Sequence, residues 1–110
     1  MDALTPLTYS ILVALADEPR HGYGIIKEIE SRAETGAAPS TGALYLALQR
    51  MEAEGLIEEP RKRPSPADDA RRRYWSLTRK GREAARAESR RLAAMLAAAR
   101  EKDLLAGDSA

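Results

Sequence analysis

The segment STGALYLALQRMEAEGLI, residues 40–57, constrains this chain more than any other. At about 3.6 residues per turn, Leu44, Leu48 and Met51 fall on one face, which predicts a helix with that face in a core. Ser40 or Thr41 supplies the N-cap oxygen. The helix should run to about Glu54, with Gly55 in the left-handed position beyond it and Leu56 returning to Met51 in a Schellman ending. The opposite face carries Gly42, Leu46, Gln49 and Ala53, with Tyr45 and Arg50 on its flanks. Helices that face water usually carry charge there, yet the acidic residues Glu52 and Glu54 fall only at the C-terminal end. Such a helix needs a partner on each side.

The neighbouring segments supply the inner partner. Thr5 and Pro6 open a first helix as N-cap and first residue, and Leu4 and Tyr9 occupy the positions of a hydrophobic staple. Leu7, Ile11 and Leu15 form one stripe, but Tyr9, Leu12, Val13 and Ala16 spread apolar surface further round, as if a second subunit packed there. After DEPRHG, residues 17–22, a second helix runs from about Tyr23 to Arg32 with Ile25, Ile26 and Ile29 inward, and TGAAPS is a loop. LIEEPRKR holds a short strand, and RRRYWSL, residues 71–77, a better one, with Arg73, Trp75 and Leu77 on one face and Arg72, Tyr74 and Ser76 on the other. Trp75, beside Leu77, reads as core, whereas Tyr74 is compatible with core or contact. Thr78 caps a last helix reaching about Leu105, whose thin stripe of Ala85, Leu92, Met95, Leu96, Ala99 and Leu104 has little of its own domain to bury against.

This order predicts a mainly α fold with a small β-hairpin: a winged helix-turn-helix over residues 1–77, a C-terminal dimerisation helix over 78–105 and a frayed tail over 106–110. The 110 residues suit one small core. No apolar run approaches the roughly 20 residues of a membrane span, and the start lacks the basic and cleavage features of a signal peptide. Together with the absence of cysteine, this leads to the expectation of a cytoplasmic protein without disulfides. His21 is the sole histidine and has no cluster of companions, so neither a metal nor another cofactor is expected. It reads as a local hydrogen-bonding group at a helix start, and the GYG after it is too short for a phosphate loop. No nucleophile–base pair appears, which argues against an enzyme.

Charge is unevenly placed. Residues 1–56 carry 4 Lys/Arg against 8 Asp/Glu, residues 57–91 carry 12 against 6, and residues 92–110 carry 2 against 3. The basic block gathers at the hairpin, with Arg61, Lys62 and Arg63 before PSPADDA and Arg71, Arg72 and Arg73 after it. It is either a polyanion-facing surface or a solvated one, its arginines paired with Glu58, Glu59 or the tip aspartates Asp68 and Asp69. Beside it, the odd face of helix three makes chemical sense against double-stranded DNA. A helix N-terminus without acidic residues favours phosphate. Gln49 can bond a base edge, Leu46 can meet a thymine methyl and Arg50 can reach guanine or phosphate.

Four features in order then resemble the PadR family of bacterial transcriptional regulators. LTYSILVALADEPRHGYGI looks like its first helix and HGYGI turn, and TGALYLALQRMEAEGLI resembles its GTLYPALRRLEEEGLI signature. RRRYWSLTRKG resembles its wing strand and following helix start, and the single last helix is similar to its short-tailed branch. The resemblance covers about residues 4–85 and implies a homodimeric winged-helix DNA-binding protein, usually a repressor, with Ser40, Thr41 and Tyr45 near DNA. Ala43, Leu46 and Trp75 depart from the family's usual threonine, proline and second tyrosine. Relatives that hold aromatic ligands between protomers use a tryptophan on the last helix, and this helix has none.

The expected DNA surface is therefore Ser40, Thr41, Gly42, Tyr45, Leu46, Gln49, Arg50, Arg61, Lys62, Arg63, Arg71, Arg72 and Arg73. The expected dimer surface is Tyr9, Leu12, Val13, Leu92, Met95, Leu96 and Ala99. An inverted-repeat operator follows from two-fold symmetry. The competing readings are a protein-binding adaptor and a ligand sensor that acts without specific DNA binding. A small-molecule effector would be the partner in the second of these readings.

Overall fold

The computed structural model describes residues 4–32, 38–62 and 72–105. Helix α1 spans Pro6–Ala14, strand β1 Arg20–His21, α2 Gly22–Arg32 and α3 Thr41–Ala53, followed by β2 Ile57–Glu58, β3 Tyr74–Leu77 and α4 Arg79–Glu101. The architecture is mainly helical, with a small antiparallel sheet in the order β1-β3-β2.

Each cap read from the sequence closes a helix as expected. Thr5 Oγ1 accepts from the Thr8 amide, Ser40 Oγ from the Ala43 amide at 3.1 Å and Thr78 Oγ1 from the Gly81 amide at 3.0 Å. At the end of α3 the Leu56 amide donates to Met51 O at 2.9 Å and the Gly55 amide to Glu52 O at 3.0 Å. Gly55 takes φ 79°, which a Cβ would strain. The expected Schellman ending is present.

Leu44 and Leu48 of α3 are fully buried and Met51 nearly so, packed with Ile11, Leu12, Ile25, Ile57, Trp75 and Ala84 in one core. Each large side chain withdrawn from water there contributes about 2 kcal/mol before entropy is counted. Ile26, Ile29, Leu77 and Ala85 border it half-buried. The core joins α1, α2 and α3 to the sheet and to the first turns of α4, where Gly81, Ala84 and Glu88 are buried.

Three expectations change. The hairpin gains a third strand, because the stretch expected only to end the first helix pairs with β3 in the register Arg20↔Trp75 and His21↔Tyr74. The last helix ends at Glu101, short of Leu105: Asp103 adopts φ 59° and the Leu104 amide donates to Ala99 O at 2.8 Å, so an aspartate takes the left-handed position. Leu12, assigned to the dimer surface, is fully buried in the core. It follows Ile11 directly, and α1 is covered by α2, α3 and α4, so both residues point into protein. The turn PSPADDA with Asp68 and Asp69, and the tail 106–110, lie outside the described residues.

Two contacts of α4 carry predictions. A Cβ on Gly81 would collide with the Leu56 carbonyl, a backbone atom that cannot swing aside, whereas one on Gly42 would meet nothing within 4 Å. Gly81→Ala should therefore lower stability by about 2 kcal/mol or more in thermal or denaturant unfolding. Gly42→Ala, in the exposed first turn of α3, should raise it by at most about 0.5 kcal/mol. Equal effects of the two would contradict this packing.

Glu88, only 6% exposed, is paired with Arg91 through both carboxylate oxygens. That pairing lowers its pKa below the usual 4.5, outweighing the opposing effect of burial, and the Leu4 amide lowers it further. The lowered folded value means that Glu88's contribution is complete above about pH 4.5 and is lost as pH falls through the folded pKa. In acid titrations of stability, the difference between wild type and Glu88→Gln should shrink steadily below that pH. A constant difference would show that the carboxylate is not held this way.

Candidate nucleic-acid interface

Burying one face of α3 exposes the other. Ser40, Thr41, Gly42, Gln49 and Arg50 are all exposed, Tyr45 is 44% and Leu46 65% exposed, and the first turn contains no acidic residue. These seven expected residues thus lie together on or beside the free face of one helix. Leu46 is conspicuous as a large apolar side chain held in the open by a rigid element.

Tyr45 is the hinge of the surface. Its ring and hydroxyl lie over Gly22, so closely that a Cβ there would collide with the hydroxyl. This brings the first half of α3 against the start of α2. His21, just before α2, turns its ring onto the same helix end, where Nδ1 accepts from the Gly24 amide at 3.1 Å. The expectation of a local hydrogen-bonding histidine is met, and the group acts as an N-cap. The ring also meets Tyr74 edge-on, with centroids 5.3 Å apart, and lies near Tyr23 at 6.4 Å. Tyr74, left open by the sequence, thus packs half-buried on His21 at the sheet edge.

The wing root splits into distinct environments. Arg61 and Lys62 follow β2 and are exposed. Arg72 is exposed just ahead of β3, with Nη1 3.2 Å from His21 Nε2. Arg73 lies with its guanidinium carbon 4.3 Å from the centroid of the Trp75 ring, bonded to Glu59 and 3.4 Å from Glu52. Hydrogen bonding to Glu59 raises its pKa, with the charges of Glu59 and Glu52 adding to the effect. For this arginine the salt-bridged alternative holds: it ties the wing to α3 and covers the tryptophan. Arg63 and Arg71 lie outside the described residues. The sequence pattern missed the bridge from α3 to the wing through His21. The His21–Gly24 spacing of an N-cap to its acceptor amide was its only local signal, and the two-residue β1 is too short to show alternation.

Of the expected dimer residues, Val13 is 47%, Met95 61%, Leu96 42% and Leu92 37% exposed. Tyr9 is half-buried, its hydroxyl 2.8 Å from Ser89 Oγ, and Ala99 is half-buried. Tyr9, Val13, Ala14 and Ile29 line a groove between α1 and α2. Among the described residues no group of three or more acidic, histidine or cysteine side chains could hold a metal, and no helix is long and apolar enough to cross a membrane.

If Glu59 restrains Arg73 and also opposes an approaching polyanion, Glu59→Gln should tighten binding to a duplex of random sequence two- to threefold at low salt, by fluorescence anisotropy. Unchanged or weaker binding would count against this side as a polyanion surface.

The model of the transcriptional regulator PadR-like family matches residues 11–87. A search of curated proteins found no match. Among solved structures, the chain is similar to a PadR family transcription regulator from Clostridium difficile, with a TM-score of 0.74 and 26% identity over 88% of this chain and 97% of that one. A transcriptional regulator from Clostridium thermocellum gives a TM-score of 0.71 at 21% identity, covering 86% of this chain and 87% of that one. Bacillus subtilis PadR in complex with operator DNA gives 0.59 at 20% identity, covering 72% of this chain and 44% of that one.

Proposed function

The chain belongs to the PadR-like family of transcriptional regulators, and on that premise we propose that it binds double-stranded DNA specifically, as a homodimer, and represses transcription from an inverted-repeat operator. The observation that carries the proposal is the free face of α3. Gly42, Tyr45, Leu46, Gln49 and Arg50 project from a helix whose other side is locked in the core, and the N-terminal turns have no acidic residue to repel phosphate. Ser40 and Thr41 open that helix, and Arg61, Lys62 and Arg72 stand exposed at the wing root. A structural neighbour, Bacillus subtilis PadR, is bound to operator DNA, which supports the same use of this fold. In this reading α3 enters the major groove, Gln49 and Leu46 meet base edges, and the wing root follows the backbone. The activity is binding and release in the cytoplasm, without catalysis.

The dimer rests on exposed apolar surface. Leu92, Met95 and Leu96 sit on the half of α4 beyond the buried Glu88, and Val13 is open beside the groove between α1 and α2. In the single chain nothing covers these side chains, which lie exposed on one continuous helix, so a second copy is the natural cover. In this reading residues 1–77 and the first turns of α4 form the reading unit, and the rest of α4, to Glu101, is the coupling helix. Two recognition helices related by a two-fold axis would read half-sites about 34 Å apart.

Selection of genomic fragments by the purified protein tests the proposal directly. Enrichment of an inverted repeat, with affinity falling steeply as salt rises, is the expected result; uniformly weak binding to every fragment would overturn it. Tyr45→Ala should weaken binding to the selected fragment about tenfold while leaving the dimer intact, and wild-type affinity would misplace the interface. Removal of residues 92–110 should yield a monomer by light scattering. A dimer mass for the truncated chain would remove α4 from the interface.

A further inference from the structure

The free face of α3 carries an inference about which base pairs the protein reads, one that deepens the DNA-binding reading and rests on it. At about 100° per residue, Gly42, Leu46, Gln49 and Ala53 fall within about 60° of arc, opposite the buried Leu44, Leu48 and Met51. All four are exposed, and none is charged. The charged residues of the helix stand to the sides of this strip. Arg50 flanks one edge, and Glu52, on the other, is 3.4 Å from Arg73 of the wing. The centre of the face therefore offers one long alkyl side chain and one carboxamide.

Leu46 and Gln49 are also spaced to act together. Being three residues apart separates them by about 4.5 Å along the helix axis, against about 3.4 Å between stacked base pairs. They thus meet the same base pair or two neighbouring ones. Long helical side chains lean toward the N-terminus, which carries Leu46 over the turn that holds Gly42. That turn is open, since a Cβ at Gly42 would meet nothing within 4 Å, and Leu46 is 65% exposed. In the major groove an adenine presents an N7 acceptor and an N6 donor, which a carboxamide matches with two hydrogen bonds. Its thymine presents a C5 methyl, which an alkyl side chain covers. A G·C pair presents two guanine acceptors, best met by a cation, and no methyl. The strip has no cation to give.

We infer that the centre of α3 reads A·T base pairs: Gln49 bonds the N6–N7 edge of an adenine, and Leu46 packs on the C5 methyl of the thymine in the same or the next pair. Tyr45 and Arg50, on the flanks, position the helix against the backbone rather than choose bases. Specificity then rests in part on a methyl group that uracil lacks. The protein distinguishes thymine from uracil in an otherwise identical duplex.

The test starts from the sequence that the purified full-length protein enriches from a library of random 30-base-pair duplexes. That duplex is remade with single thymine-to-uracil and single adenine-to-7-deazaadenine replacements, and each is measured by fluorescence anisotropy. Each half-site should contain a thymine whose replacement weakens wild-type binding about three- to fivefold, as expected for one methyl withdrawn from water. An adenine in the same or the next pair should weaken it about fivefold when its N7 is removed. Leu46→Ala should bind the thymine and uracil duplexes equally, and Gln49→Ala should be indifferent to 7-deazaadenine. Both side chains are exposed, so both variants should melt near the wild-type temperature, and the wild-type series decides alone if one fails to fold. No sensitive thymine, a sensitive thymine that Leu46→Ala still distinguishes from uracil, or a 7-deazaadenine effect that survives in Gln49→Ala would each overturn the A·T assignment and leave specific DNA binding standing. A wild type that enriches no sequence would overturn both.

Discussion

The Leu56 peptide is the junction on which the arrangement depends. Its amide closes α3 by donating to Met51 O, and its carbonyl accepts from the Thr78 amide at 3.1 Å, just where α4 begins. Thr78 Oγ1 donates to Gly55 O, and Lys80 Nζ donates to Glu54 O at 2.8 Å. Gly81 leaves room for that carbonyl. Carbonyls that a helix end leaves without partners are thus satisfied by the start of the next helix. Helix α3 is held in direction as well as in depth, and whatever its free face meets is presented by a rigid element.

That rigidity explains why exposed Leu46 and half-exposed Tyr45 are tolerable. Leu44, Leu48 and Met51 secure the helix with burial that needs nothing from the other side. The outer face can then be chosen for contact. Its small residue, Gly42, leaves open space, and Gln49 and Arg50 offer exposed hydrogen-bonding groups. The wing follows the same division. Arg73 is used inside the protein, clamped between Glu59, Glu52 and the Trp75 ring, while Arg72 faces outward beside His21.

Much of this was legible because it is local. Thr5, Ser40 and Thr78 each stand three residues before the amide they cap, and Gly55-Leu56 marks an ending with its own chemistry. The stripe of α3 separated its faces correctly. What stayed hidden depends on partners distant in sequence. Strand β1 exists because β3 had an open edge, not because Arg20 and His21 favour strands. Leu12 looked like a second apolar side because a wheel cannot tell that α1 is surrounded. Arg73 was indistinguishable from Arg72 in a run of arginines until Glu52 and Glu59 were brought beside it. Asp103 ended α4 early through backbone geometry that glycine more often supplies.

The central claim is that α3 has one face for the core and one for DNA. Backbone amide NMR of the full-length protein with a 30-base-pair random-sequence duplex at low salt tests it most directly. The account predicts shift changes concentrated at residues 40–50 and at Arg72, with the groove between α1 and α2 and the far half of α4 little affected. Changes confined to that groove or to Leu92, Met95 and Leu96, with α3 silent, would contradict it.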